Sequence, residues 1–335
     1  MHFPEITVII PFFNAENTLN RAVQSIVSQT FKNFECILVD NNSIDESRSI
    51  AVKWQAKDSR IKLMEESRQG VVFAFGKAAE NASGKYIARM DADDYAHLRR
   101  LELQYAHLEK NPEVEVISGL VNHKSKFRRR DGLKHYVDWT NNVISYKDIC
   151  VNRFIDSPII NPTAMWRKET GKKFGLYRHG NFPEDYEMWL RWLYQGVRIE
   201  KIPHIVLDWH DSDSRLTRTH PSYSDEAFYR IKTQYLVLWL KQNNQFHPHV
   251  TVWGASKISR KRAEMLENDS ITIDNFIDIK KTRQIDSSVL FYKDIPPPGK
   301  IFILVYVRQW DAKRKIKQYL ESLGYSEGKN YLLVS

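Results

Sequence analysis

Met90-Asp91-Ala92-Asp93-Asp94-Tyr95 places three carboxylates within four positions, directly after the strand-like run Tyr86-Ile87-Ala88-Arg89. Like charges a few ångströms apart oppose one another's ionisation, so such a corner calls for a compensating positive charge. A hard divalent cation, Mg²⁺ or Mn²⁺, would supply it, because these ions take oxygen ligands, often one or two carboxylates completed by substrate phosphates and water. Taken alone, the tetrapeptide Asp91-Ala92-Asp93-Asp94 reads more readily as a solvated acidic turn capping a following helix, and only its context reverses that. A second acidic pair, Glu184-Asp185, follows Pro183 and opens an amphipathic stretch through Trp192. Capping of that helix accounts for the pair without chemistry.

The elements around the first cluster place it. Glu5 to Pro11 is an apolar, β-branched run, and Asn14 is positioned to cap a helix carrying Leu19, Val23, Ile26 and Val27 at helical spacing. Phe34 to Asp40 predicts a second strand, Ser43 to Lys57 a helix, Ile61 to Glu65 a third strand, Gly70 to Asn81 a helix, and Tyr86 to Met90 a fourth strand. Repeated βα units imply an α/β fold with a mostly parallel, doubly wound sheet. Ligands of such sheets collect beyond the carboxyl ends of the strands, where Pro11, Asp40 and Asp91 fall.

With 335 residues the chain exceeds the usual size of one domain, and its net charge of +9 favours an anionic partner. Neither Ile6-Thr7-Val8-Ile9-Ile10 nor Ile301 to Val307 approaches the roughly 20 apolar residues that span a bilayer. Met1-His2-Phe3-Pro4-Glu5 lacks the basic start of a secretory signal, and Cys36 and Cys150 make no disulfide framework. A cytoplasmic setting is the expectation. Lys124-Ser125-Lys126-Phe127-Arg128-Arg129-Arg130 is the densest positive run; it is either a solvated face or a surface for anionic lipid at the inner face of a membrane. No helix-turn-helix, zinc finger or aromatic platform accompanies it, so nucleic acid is not expected.

Four segments in order, Val8 to Asn14, Ile37 to Ser43, Gly84 to Asp94 and Pro183 to Trp189, resemble the inverting family 2 glycosyltransferases with the A-type nucleotide-sugar-binding fold. The resemblance covers about the first 220 to 240 residues. It implies that Pro11, Phe12, Phe13 and Asp40 contact the nucleoside of a donor, most simply a UDP-sugar, although Asp40 could instead close an Asx turn toward Ser43. Arg68 matches a position near the nucleotide, Asp91 and Ala92 lie on the ribose side, Asp93 and Asp91 are the implied metal ligands, and Asp94 supports the loop. Asp185 is the implied base that takes the proton of an acceptor hydroxyl on a saccharide or lipid-linked glycan of bacterial surface polysaccharide synthesis, with Glu184 the weaker candidate. Asn161-Pro162-Thr163 replaces a His-Pro-Thr of many relatives, and Ala74-Phe75-Gly76 lacks a usual Asn. Trp209 to His220 reads as a polar loop whose His210, Arg215 and Arg218 could close over a diphosphate.

The tail begins a new βα series at His249-Val250-Thr251-Val252-Trp253-Gly254-Ala255, predicting a smaller Rossmann-like domain. The expected division is 1–222 for the transferase, 223–246 for a helical linker and 247–335 for the tail. Gly254-Ala255-Ser256-Lys257-Ile258-Ser259 keeps only the first glycine of a dinucleotide fingerprint, so an NAD-dependent oxidoreductase with Asp278 on a ribose is the weaker alternative. A catalytically silent sugar-nucleotide or glycan-binding protein is the third reading.

Overall fold

The computed structural model describes residues 3–125, 131–211, 218, 220–280 and 288–335. They form two compact units: the first comprises 1–149, 158–180 and 184–220, the second 150–157, 181–183 and 221–335.

In chain order the first unit has β1 (Ile6–Phe12), α1 (Leu19–Val27), β2 (Phe34–Asp40), α2 (Ser47–Lys57), β3 (Ile61–Glu65), α3 (Val71–Glu80), β4 (Tyr86–Arg89) and β5 (Tyr95–Ala96). There follow α4 (Arg100–Lys110), β6 (Val116–Ser125), α5 (Asp131–Asn142), α6 (Tyr146–Asn152), β7 (Met165–Arg167), α7 (Lys168–Phe174), α8 (Glu184–Tyr194) and β8 (Ile199–Asp211). One eight-stranded sheet runs β3-β2-β1-β4-β7-β6-β8-β5. β1, β2, β3 and β4 are mutually parallel, β7 is antiparallel to both β4 and β6, and β6 is parallel to β8. The α/β fold with a large, mostly parallel sheet is therefore present. β1 and β2 are buried throughout, as continuous β-branched and apolar runs covered on both faces must be.

Asn14 does not cap α1. Its backbone is left-handed, at φ 48°, its Oδ1 accepts the Ile44 N–H at 2.9 Å, and its own N–H donates to Ser43 Oγ at 3.1 Å. A short amide side chain tolerates that conformation, and here it ties the loop after β1 to the loop after β2. The segment 209–211 is strand, not loop: β8 continues to Asp211, with His210 opposite Lys124 and Asp211 opposite Ser125. Pairing with β6 supplies the ladder that a polar sequence gave no reason to expect.

A buried ion pair fixes α8. Arg191 Nε lies 3.0 Å from Glu187 Oε1 and its Nη2 lies 3.0 Å from Oε2, with Glu187 2% and Arg191 5% exposed. The same guanidinium donates to the carbonyls of Phe174, Gly175 and Leu176, and Trp192 Nε1 donates to Gly175 O at 2.9 Å. Trp166, Trp189 and Trp192 pack edge to face with centroids 5.5 to 6.1 Å apart.

The second unit has α9 (Asp225–Asn243), β9 (His249–Trp253), α10 (Lys257–Glu267), β10 (Thr272–Asp278), β11 (Val289–Phe291), β12 (Ile303–Val305), α11 (Trp310–Ser322) and β13 (Tyr331–Leu333). Its sheet runs β11-β10-β9-β12-β13, all parallel, which is 3-2-1-4-5 when these strands are numbered by themselves. α9 belongs to this unit. No described helix is long and apolar enough to cross a membrane.

Removing Arg191 takes from the buried Glu187 carboxylate a hydrogen-bonded cation and leaves it Arg178, whose Nη1 lies at the longer distance of 3.6 Å from Oε1. Arg191→Leu is therefore expected to cost about 3–5 kcal/mol, read as a lower urea midpoint at unchanged slope. A loss below about 1 kcal/mol would show that Glu187 finds other support.

Candidate active site

Three strand ends bring the first cluster together. Phe12 pairs with Asp40 and Ile9 with Arg89, so extending the register by two places sets Asp91 level with Pro11. β7 runs the other way: Arg89 N–H donates to Ala164 O at 2.9 Å, and the 3₁₀ turn Asn161–Thr163 just before β7 falls at the same edge.

Ligand atoms of Asp91, Asp93 and Asp94 all lie within 4.8 Å of one another. Asp94 is fully buried, and its Oδ1 accepts the backbone N–H of His210 at 2.8 Å. It ties the acidic turn to β8, as a loop-supporting residue does. Asp93 is gripped from its backbone, its carbonyl accepting from Arg21 Nη2 at 2.5 Å. Asp91 pairs with Arg89, Nη2 to Oδ1 at 2.6 Å. His210 is half-buried, and burial followed by the nearby Arg21 charge holds its imidazole below its usual value.

Two buried guanidinium groups supply part of the compensation that the acidic corner requires. Arg89 is 4% and Arg100 1% exposed. Burial opposes the charge on Arg89, but Asp91, Tyr177 and Glu184 together more than offset it. Burial outweighs the favourable fields of Asp94 and Asp91 at Arg100 and pulls it down to about 10. Arg100 also donates to Arg89 O at 2.7 Å and to Gln104 Oε1 at 3.1 Å. The three side chains Asp91, Asp93 and Asp94 still outnumber these two cations. An all-oxygen donor set of this kind fits Mg²⁺ or Mn²⁺.

Asp185 feels the first cluster. Its carboxyl is held well above the usual range by burial, then by Glu184 and by Asp91, against the opposing pull of the Tyr186 N–H and of Arg89. The Tyr186 N–H lies 2.7 Å from Asp185 Oδ1. The head of α8 and the turn after β4 thus share one electrostatic environment, with Arg89 acting on both. Tyr177 completes it: the ring is 4.7 Å from Phe75, the hydroxyl donates to Asn161 Oδ1 at 2.9 Å, and burial pushes the phenol above its usual value.

The remaining sequence-derived residues divide. Phe13 is 51% exposed at the end of β1, whereas the ring of Phe12 is in the core, so only Phe13 offers a face for a base. Asp40 is buried and its Oδ1 accepts the Ser43 N–H at 3.0 Å, closing the Asx turn; Oδ2 lies 3.9 Å from Arg48 Nε. Arg68 packs on Phe73 at 4.7 Å and binds Glu66 with Nε to Oε1 at 3.0 Å, which holds the Glu66 carboxyl well below its usual range. Ala92 packs against the core between Asp91 and Asp93. Arg215 and residues 126–130 of the basic run lie outside the described residues; Lys124 Nζ is 3.7 Å from Asp208, and Arg218 Nη2 is 2.5 Å from Asp211. Arg89, Arg100, Tyr177 and Arg21 are the residues that sequence reasoning missed. The available signal was a guanidinium closing the otherwise apolar run Tyr86-Ile87-Ala88-Arg89.

The description "Glycosyl transferase family 2" matches residues 7–172. The putative glycosyltransferase EpsE of Bacillus subtilis (strain 168) is 30% identical over 226 residues, covering 66% of this chain and 78% of the relative. Among solved structures, residues 1–349 of S. aureus TarS in complex with UDP-GlcNAc superpose with a TM-score of 0.57 at 18% identity, covering 79% of this chain and 71% of that one. The mannosyltransferase PcManGT of Pyrobaculum calidifontis, in complex with GDP-Man and Mn²⁺, gives a TM-score of 0.50 at 19% identity, with 72% and 64% covered. These two structures share the fold.

A carboxyl whose folded pKa is raised is protonated without penalty near pH 4 and destabilises the fold increasingly as pH climbs toward that raised value. Asp185→Asn is therefore expected to match the parent at pH 4 and to exceed it at pH 8 by on the order of 1 kcal/mol in chemical denaturation. A variant less stable at pH 8 than the parent would mean that the ionised carboxylate is favourably held.

Proposed function

Because the chain belongs to glycosyl transferase family 2 and is a glycosyltransferase, we propose that it moves a sugar from a nucleoside diphosphate donor, a UDP-sugar, to a saccharide hydroxyl with inversion at the anomeric carbon. The observation that carries the reading is that Asp185 lies in the fields of both Asp91 and Arg89, a pair joined at 2.6 Å at the end of β4. One carboxyl group at the head of α8 and a carboxylate cluster at the end of β4 are what a single displacement needs: a base on one side of the sugar and a charge-neutralising site on the other.

In this mechanism Phe13 packs on the base of the donor, Pro11 and Asp40 approach the nucleoside, and Asp91 and Ala92 line the ribose. Asp93 and Asp91 hold the cation, with Asp94 and Arg21 fixing the turn that presents them. When bound, the divalent ion neutralises charge developing on the departing nucleoside diphosphate. Asp185 accepts the hydroxyl proton of the acceptor as that oxygen attacks the anomeric carbon and the bond to the diphosphate breaks. The elevated proton affinity of Asp185 suits the task, since a base nearer neutrality drives transfer better than an ordinary carboxylate. Arg89 partly opposes that rise, and Tyr177, bonded to Asn161, lies within the field of Asp185. Arg68 stands where it could exchange Glu66 for a phosphate oxygen. Surface-glycan assembly on a lipid-linked acceptor at the inner membrane face is the setting we favour, and the net charge of +9 suits such anionic ligands.

The test pairs binding with turnover. UDP-GlcNAc and GDP-Man are screened for Mn²⁺-dependent thermal stabilisation, where a ligand at 100 times its Kd adds about 2.7 kcal/mol. Asp185→Asn should retain that stabilisation while turnover falls about 10²- to 10⁴-fold. Asp93→Asn should abolish the metal dependence of donor binding. Near-normal transfer by Asp185→Asn removes it from the role of base, and a retained anomeric configuration in the product overturns direct displacement.

A further inference from the structure

Within the second unit, four cations gather with little opposing charge. Lys232 on α9 and Lys313 on α11 are 5% and 4% exposed. Among the described residues neither has an Asp or Glu side chain at ion-pair distance. Lys313 Nζ donates to Ser335 O at 2.6 Å, whereas Lys232 Nζ reaches only Ile155 O, at 3.4 Å. Lys232 Nζ sits 4.0 Å from the ring centroid of Tyr229, and Arg262 Cζ sits 4.2 Å from the same centroid. Arg308, three residues beyond β12, lies 2.9 Å from Asp225 Oδ2, and Arg262 shares that oxygen at 3.4 Å. Asp156 is the nearby half-buried acid; one oxygen takes the Ser157 N–H at 2.7 Å, and desolvation raises its carboxyl while Lys232, Lys313 and Arg308 draw it down.

The topology gives the group a place. In the order β11-β10-β9-β12-β13, the chain winds outward in opposite directions from β9 and β12. The crevice beyond the carboxyl ends of such a neighbouring pair is where doubly wound sheets take ligands. Arg308 follows β12 there, and Arg262 stands on α10, the helix that follows β9.

We propose that this crevice binds a phosphate-class oxyanion, inorganic phosphate or the phosphomonoester of a small metabolite, held by Arg308, Arg262 and Lys232. A guanidinium fork matches two oxygens of such a group, and an ammonium supplies a point charge behind it. Asp225, 67% exposed, holds the two arginines together and can yield them to an incoming anion. Burial followed by neighbouring positive charge brings Lys232 down to about 7, and burial brings Lys313 down to about 8, costs that a bound anion would relieve. The ligand is a single phosphate rather than a dinucleotide: the loop Gly254-Ala255-Ser256 has side chains where a pyrophosphate cradle needs bare backbone, so side chains must do the holding.

The experiment titrates the full chain, free of divalent cations and at constant ionic strength, with inorganic phosphate and separately with glucose 1-phosphate, by calorimetry and thermal shift. Saturable one-site binding is expected; tighter binding of glucose 1-phosphate assigns the site to a metabolite, and equal binding assigns it to free phosphate. Arg308→Ala, at an exposed position, should weaken binding about tenfold or more, and Lys232→Met should raise the melting point without phosphate while abolishing the phosphate response. Asp93→Asn should bind as the parent does. Absence of saturable binding, unchanged affinity in both Arg308→Ala and Lys232→Met, or loss of binding in Asp93→Asn would overturn the proposal, the last by placing the phosphate in the first unit.

Discussion

Charge balance around Arg89 is the constraint on which the first unit's site depends. A guanidinium with 4% exposure has few alternatives to the carboxylates it meets, and its charge opposes the rise that burial, Glu184 and Asp91 impose on Asp185. Its position is set by backbone rather than by choice of rotamer. β4 lies between β1 and β7 in the sheet, Arg89 N–H is bonded to Ala164 O, and Arg100 closes the underside by donating to Arg89 O. The acidic turn is thus presented by a strand end that cannot shift without breaking ladders on both sides. That rigidity is the preorganisation a charge-stabilising site requires.

The same reasoning assigns a role to parts far from any substrate. Arg191 gathers the carbonyls of Phe174, Gly175 and Leu176 around the Glu187 pair, and Tyr177 is the next residue in that segment. The Trp166, Trp189 and Trp192 cluster packs the helix that begins at Glu184. Asp185 therefore stands on a helix whose tilt is fixed by aromatic packing and whose approach segment is fixed by a buried ion pair. Neither feature touches the reacting atoms, yet both decide where the carboxyl group points.

Sequence alone disclosed β1 to β4 to within a residue or so, because continuous apolar β-branched runs separated by amphipathic segments have few other solutions, and it left β5 to β8 unplaced. It disclosed the acidic corner because three carboxylates in four positions are costly without a purpose. It did not disclose Arg89 as the link between the two acidic groups, since that role exists only once β7 and α8 are folded against β4. Asn14 failed as a cap because its amide oxygen took the Ile44 N–H instead, a contact 30 positions away in the chain. The strand at Trp209-His210-Asp211 failed because β6 rescues polar residues that show no alternation. In each case the deciding partner was distant in sequence, which local pattern cannot report.

The two sheets apply one physical rule with opposite sign. Beyond the strand ends of the first, carboxylates exceed the buried guanidinium groups; beyond those of the second, Lys232, Lys313, Arg262 and Arg308 exceed Asp156 and Asp225. Parallel strands converge their carboxyl ends on one edge, and short loops there hold side chains close enough to repel. Folding alone gives no reason to keep such excess charge, because apolar replacements of similar volume pack at least as well in buried positions. Burial first, and then like charges nearby, raise Asp185 and depress Lys232. A ligand of opposite charge does better than a proton, since it neutralises several groups at once and restores each to its ionised form. By that argument the excess of negative charge at the first edge suits a cation, and the excess of positive charge at the second suits an anion.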